Sequence, residues 1–213
     1  GDYRLDNIAT NGNIYVYVGP NQGDFSPLVQ LIAPTQSQFF VVQSKYHPGD
    51  KTTIQSEVAL SNNDANLFSN IGNEDNKALA AKVSWDQVLI DKSWQLSSKI
   101  SHEYAHKNFR TLQRWEPVEF NREWNILTNN ATKNYFNASL DLKNKKNDFV
   151  NYQLNYLSYD NSFRGSRHKL NGVLSLNKTS MRFLGSYLTN TSISEDNYFY
   201  KARAVLERPW KKA

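Results

Sequence analysis

The residues whose types and spacing come closest to known chemistry are His102-Glu103-Tyr104-Ala105-His106. His-Glu-x-x-His is the signature of zinc-dependent proteases. On a helix the two histidines share a face and hold one metal, with the glutamate as general base. The surrounding residues argue for a different geometry. Trp94, Leu96, Ser98 and Ile100 recur with a period of two, which is the pattern of a strand. Histidines four apart on a strand also share a face, but they lie roughly 13 Å apart at about 3.3 Å per residue, too far for one zinc. Lys107 and Asn108 follow the second histidine, where zinc proteases with this pattern usually carry uncharged and apolar residues. Glu116, Glu119 and Glu123 are available as a third ligand, so a zinc metalloprotease on His102, Glu103 and His106 stands as the third functional reading.

The remaining candidates are sparser. His47 and His168 are isolated in turn-like surroundings and read as exposed or capping histidines. Asn62, Asn63, Asp64, Asn66, Glu74 and Asp75 offer oxygen ligands for calcium, but without the spacing and glycine of a calcium loop they read as a solvated loop. Four Asn-x-Ser/Thr sequons begin at Asn130, Asn137, Asn177 and Asn190, as expected by chance in an Asn-rich chain. No G-x-S-x-G, phosphate-binding loop or dinucleotide fingerprint occurs, and the absence of cysteine excludes thiolate chemistry and Cys-ligated metals. No catalytic, cofactor-binding or metal-ligating residue is therefore assigned. No cofactor is expected, and the chain is expected not to be an enzyme.

The elements that must position these residues are strands. The 213 residues suffice for one ordinary domain or two small ones. Hydrophobic residues make up 39% and aromatics 13%; low apolar content with many aromatics points to thin sheets with one wet face, not to disorder. The net charge of +5 is scattered, and Lys143, Lys145 and Lys146 form the longest basic cluster. They read as a solvated turn, and no nucleic-acid partner is expected. No apolar run is long enough for a transmembrane helix. The chain lacks an initiating Met, and its last residues, Trp210-Lys211-Lys212-Ala213, look cut, so a processed chain or a fragment of a longer protein is expected.

Residues 1–70 read as a short-stranded β segment, with strands over 14–18, 28–32, 39–43 and 53–60 and turns at residues 19–24 and 47–50. Residues 71–77 read as a linker, and 78–208 as an antiparallel hairpin array. In that array, strands over 78–90, 94–104, 135–143, 149–159, 168–177, 180–189 and 198–207 alternate apolar and polar residues. Leu140, Leu154, Leu174, Phe183 and Ala204 should share one face, and Asp141, Gln153, Asn171, Arg182 and Arg203 the other. Short turns alternate with longer loops at 105–134, 161–167 and 190–197. Tyr104, Tyr135, Tyr156, Tyr159, Tyr187, Tyr198 and Tyr200 gather toward the long-loop edge. Short turns on one side, longer loops on the other and interfacial aromatics characterise transmembrane β-barrels. The fold class expected is all-β: an antiparallel up-and-down meander forming an outer-membrane β-barrel or part of one.

Three runs carry a resemblance: Gly19-Pro20-Asn21-Gln22-Gly23-Asp24-Phe25-Ser26-Pro27; Glu57-Val58-Ala59-Leu60-Ser61 with Asn66-Leu67-Phe68-Ser69; and Glu116-Pro117-Val118-Glu119-Phe120-Asn121-Arg122-Glu123-Trp124-Asn125. Together they resemble segments of large, hairpin-rich cell-envelope proteins of the Bacteroidetes, in patches over residues 13–126. The resemblance implies location and architecture, not activity. The first functional reading is a structural or transport-associated segment of a bacterial outer-membrane barrel. Its partners would be membrane lipid and other envelope proteins or the rest of a longer chain, at the outer membrane or cell surface. The alternative is a soluble β-sandwich binding module, with exposed Tyr and Trp as stacking platforms for glycans.

Overall fold

A computed structural model describes residues 1–28, 32–126, 130–160, 162–192 and 195–209. The chain divides into two compact units, 1–34 and 35–213. In the first, β1 (Tyr3–Ala9) and β2 (Gly12–Tyr17) form an antiparallel hairpin. The Tyr3 and Tyr17 rings meet edge to face at 5.4 Å, and Tyr15 packs on Phe25 at 4.9 Å. Phe25 bridges back to Tyr3 through backbone hydrogen bonds of 2.8 and 2.9 Å. Of the strand expected over 28–32, residues 29–31 lie outside the described residues.

The second unit is one antiparallel sheet of nine strands in sequence order: β3 (Gln36–Gly49), β4 (Thr52–Asp64), β5 (Lys77–Asp91), β6 (Trp94–Ala105), β7 (Lys133–Asn144), β8 (Phe149–Tyr159), β9 (Phe163–Leu176), β10 (Thr179–Ser192) and β11 (Asp196–Glu207). Each strand pairs with its neighbours in sequence, as the even spacing of alternating segments predicts. The one α-helix among the described residues, α1 (Phe120–Trp124), lies in the β6–β7 loop and is 5 residues long. The sheet is open: β3 and β11 each have a single partner, and no barrel closes among the described residues.

Three expectations are corrected. The break expected at 71–77 falls in the β4–β5 loop, because β4 pairs along its length with β5; the compact units part between Pro34 and Thr35 instead. The turn expected at 47–50 shrinks to residues 50–51, since His47 and Pro48 belong to β3. Proline is tolerated there because β3 is an edge strand and the register slips between Tyr46 and Gly49. Of the loops expected at 161–167 and 190–197, residues 163–167, 190–192 and 196–197 are strand, while 161, 193 and 194 lie outside the described residues; His168 sits well inside β9 instead of in a turn. Glycine and charge in Phe163-Arg164-Gly165-Ser166-Arg167 hide its period-two pattern, in which Phe163, Gly165 and Arg167 face the same way.

The register defines the two faces. On one, Tyr46, Ile54, Trp85, Ile100, Ala138, Leu154, His168, Tyr187 and Tyr200 stand side by side, one from each strand. On the other, the neighbouring row reads Asp86, Lys99, Ser139, Gln153, Lys169, Ser186, Lys201. The two sets expected on opposite faces fall on opposite faces. On the apolar face Phe183 lies across Gly172, where a Cβ would come within 2.6 Å of the ring. The turns at 50–51, 92–93, 145–148 and 177–178 share one edge of the sheet, and the C-terminal ends of β4, β6, β8 and β10 lie at the other.

Candidate functional site

The polar face is the covered one. Phe39 and Val41 of β3 line the same cavity as Arg167 and Lys169 of β9. Strands six places apart at about 4.8 Å spacing would lie roughly 29 Å apart in a flat sheet, so the sheet curls around this face. The cavity is a trough of about 810 Å³, and the β6–β7 loop folds into it.

The loop is anchored by packing first. Phe109 meets Phe39 at 6.1 Å and Trp115 at 6.3 Å. Trp124 is fully buried and clusters with Phe120, Leu157, Tyr159, Phe163 and Leu188. Gly165 makes room for it: a Cβ there would lie 3.2 Å from the Trp124 ring and 3.1 Å from Phe163. Helix α1 ends at Asn125, whose left-handed conformation (φ 54°) lets its N–H bond back to the Arg122 carbonyl. The buried Asn190 side chain donates to the Trp124 carbonyl at 2.7 Å, satisfying another orphaned acceptor of the last turn. Tyr135 and Tyr159, expected in an aromatic belt, belong instead to the packing around α1.

Charge anchors the loop second. Lys133, the buried first residue of β7, places its ammonium 2.7 Å from Glu103 of β6 and 2.6 Å from Glu116 of the loop. It also lies over the Trp115, Phe120 and Tyr135 rings at 4.7, 5.0 and 5.6 Å. Arg167 donates to Glu123 of α1 at 2.8 Å and stacks over Trp124 at 4.6 Å. The Arg167 hydrogen bond, helped by the charges of Lys169 and Arg122, holds the Glu123 carboxyl below its ordinary value.

The His-Glu-x-x-His segment runs through the end of β6. Strand alternation puts Glu103 in the trough and His102 on the opposite face. Each candidate third ligand already has a cation: Glu116 binds Lys133, Glu119 binds Arg122 and Glu123 binds Arg167. No group of three or more His, Asp or Glu able to hold a metal occurs among the described residues. His47 contacts the Thr53 hydroxyl at 3.0 Å, and His168 contacts the Tyr152 hydroxyl at 2.8 Å. Asn62 and Asn63 pair with Gln38 and Ser37 across the strands, while Asp64 accepts from the Asn66 backbone N–H.

Sequence reasoning missed Lys133, Arg167 and Lys169. Their signal is faint: each is a cation on the inward phase of its strand, indistinguishable from a solvated position until the loop is seen to fold over it. Comparison with protein-family models, with curated proteins and with solved structures finds no match to this chain.

Proposed function

We propose that the nine-stranded sheet is part of the wall of an outer-membrane β-barrel in a bacterial envelope of the Bacteroidetes type, with a structural or transport-associated role and no catalysis of its own. One observation carries the reading: the row from Tyr46 to Tyr200 crosses all nine strands, is apolar but for His168, and has no buried residue. Tyr46 is 61% exposed, Trp85 50%, Ile100 41% and Tyr200 78%. A contiguous apolar face of this extent is costly in water and marks contact with lipid or another partner. Strands of 11 to 15 residues are long enough to cross a membrane, which takes roughly 9–11 tilted residues. The polar face, with its ion pairs and inserted loop, then lines a wet lumen, and the β6–β7 loop narrows it. A soluble sandwich would instead pack the apolar row as a core against a second sheet.

With no native cysteine, single spin labels at Leu154 and Leu174 in the lipid-reconstituted chain are a clean test. Lipid contact requires both labels to be reached by oxygen and shielded from a water-soluble relaxer. Labels reached by neither would indicate a protein core and favour the soluble binding module; labels reached by the aqueous relaxer would remove the membrane.

A further inference from the structure

The charge balance shifts along the covered face. At Glu103 and Glu116 two carboxylates meet two cations, the buried Lys133 and the exposed Lys82, 3.7 Å from Glu103. Toward β11, a second cavity of about 450 Å³ is lined by Arg122, Arg167, Lys169 and Lys201 with Glu123 as the one carboxylate. Arg122 is neutralised by Glu119, which leaves three cations to share Glu123. Arg167 takes its Oε2 at 2.8 Å and Lys169 stands 4.0 Å from the same atom. Lys201 has no carboxylate within 4.0 Å among the described residues. Lys169 and Lys201 lie in one cross-strand row, separated by the small Ser186.

Two buried polar atoms in this lining are also unpartnered. The Nε of Arg167, a residue only 8% exposed, has no acceptor, and neither does the Oδ1 of Asn171 have a donor. A guanidinium N–H left unpaired in a buried setting is costly, and converging cations repel. A bound anion relieves that repulsion.

We propose that this cavity binds a small oxyanion-bearing solute of the phosphate-monoester class. The Arg167 guanidinium, Lys169 and Lys201 surround the anionic group, as guanidinium and ammonium groups receive phosphate elsewhere. Gln153, Asn171 and Ser186 line the same space and supply uncharged partners for hydroxyls. The volume lies within the usual range for small-molecule pockets, about 300–1,000 Å³. The site itself stands on the covered face whichever medium meets the other; only its assignment to a lumenal solute rests on the membrane reading.

The test is calorimetric titration of the whole chain in detergent with inorganic phosphate, glucose 6-phosphate and glucose. Saturable binding of both phosphates and none of glucose is expected. Lys201→Gln and, separately, Lys169→Gln should each weaken phosphate binding by about tenfold or more, the scale of a lost charge-assisted hydrogen bond, with an unchanged circular dichroism spectrum. No saturable phosphate binding by the unmodified chain would overturn the site, as would binding that both variants leave intact. Glucose binding as tight as that of glucose 6-phosphate would overturn the anion assignment. The spin-label pattern at Leu154 is read on the same chain, so failure of the site and failure of the membrane reading are separate results.

Discussion

Lys133 shows how one side chain can hold a loop to a sheet. Its ammonium joins Glu103 on β6 to Glu116 on the inserted loop, at 6% side-chain exposure. Removing the cation leaves Glu116 without a partner and Glu103 with only the exposed Lys82 at 3.7 Å, both in a largely desolvated setting. Lys133→Met is therefore expected to destabilise the chain by about 3–5 kcal/mol, as for other broken buried ion pairs. Combining it with Glu103→Gln and Glu116→Gln should recover most of that loss, because the one charge then left unpaired, Lys82, is solvent-exposed. Chemical unfolding in detergent measures both. Glu123 makes a pH prediction. Its carboxyl sits below the ordinary value of 4.5 because Arg167 donates to the charged form. A group with a depressed folded pKa stabilises fully above its unfolded value, and that contribution is lost as pH falls through the folded value. Acid should therefore loosen α1 from β9 below about pH 4.5. Plotting unfolding midpoint against pH should show Glu123→Gln below the unmodified chain at neutral pH and converging with it in acid.

At the scale of elements, the β6–β7 loop is held by Trp124 more than by its own five-residue helix, which is too short to be stable alone. Trp124→Ala removes the centre of the cluster and should cost about 3–5 kcal/mol. The strand signal in circular dichroism should persist while 106–132 becomes the first site of proteolytic cleavage; a loop that stays resistant would contradict this account of its anchoring. Gly165→Ala tests the same contact from the strand side. Its Cβ presses on both Trp124 and Phe163, and overpacking of this kind costs about 1–3 kcal/mol.

At the scale of the whole sheet, the decisive property is that the bare face is apolar and the covered face charged. Leu154 lies at the midpoint of β8, whereas Leu174 lies two residues from the end of β9. Leu154→Arg is thus the sharper probe of the membrane reading, with an expected cost of about 2–4 kcal/mol at the bilayer midplane and a smaller one for Leu174→Arg. Refolding equilibria in lipid vesicles give both values; equal costs at the two positions would speak against a membrane of ordinary thickness around this face. Nine antiparallel strands also leave β3 and β11 running in the same direction. The two edges can meet each other only as a parallel pair, while antiparallel closure needs an odd number of additional strands.

The sequence by itself determined the strands of the hairpin array, their neighbour-to-neighbour pairing and the segregation of Leu140, Leu154, Leu174, Phe183 and Ala204 from Asp141, Gln153, Asn171, Arg182 and Arg203. A period of two is a local property, and a slip of one residue would turn every side chain to the wrong face. It also determined that the His102 segment is extended. It did not reveal that β3 and β4 join the same sheet, because an Asn-rich loop of 65–76 looks like a boundary when pairing across it is not visible. Nor did it show where 106–132 goes. Whether Trp124 is a core residue and whether Lys133 and Arg167 are solvated or clamped depend on contacts between positions 17 to 66 residues apart. Only the tertiary structure decided which face of the sheet those contacts would close, because only the curled sheet offers the inserted loop a trough to fill.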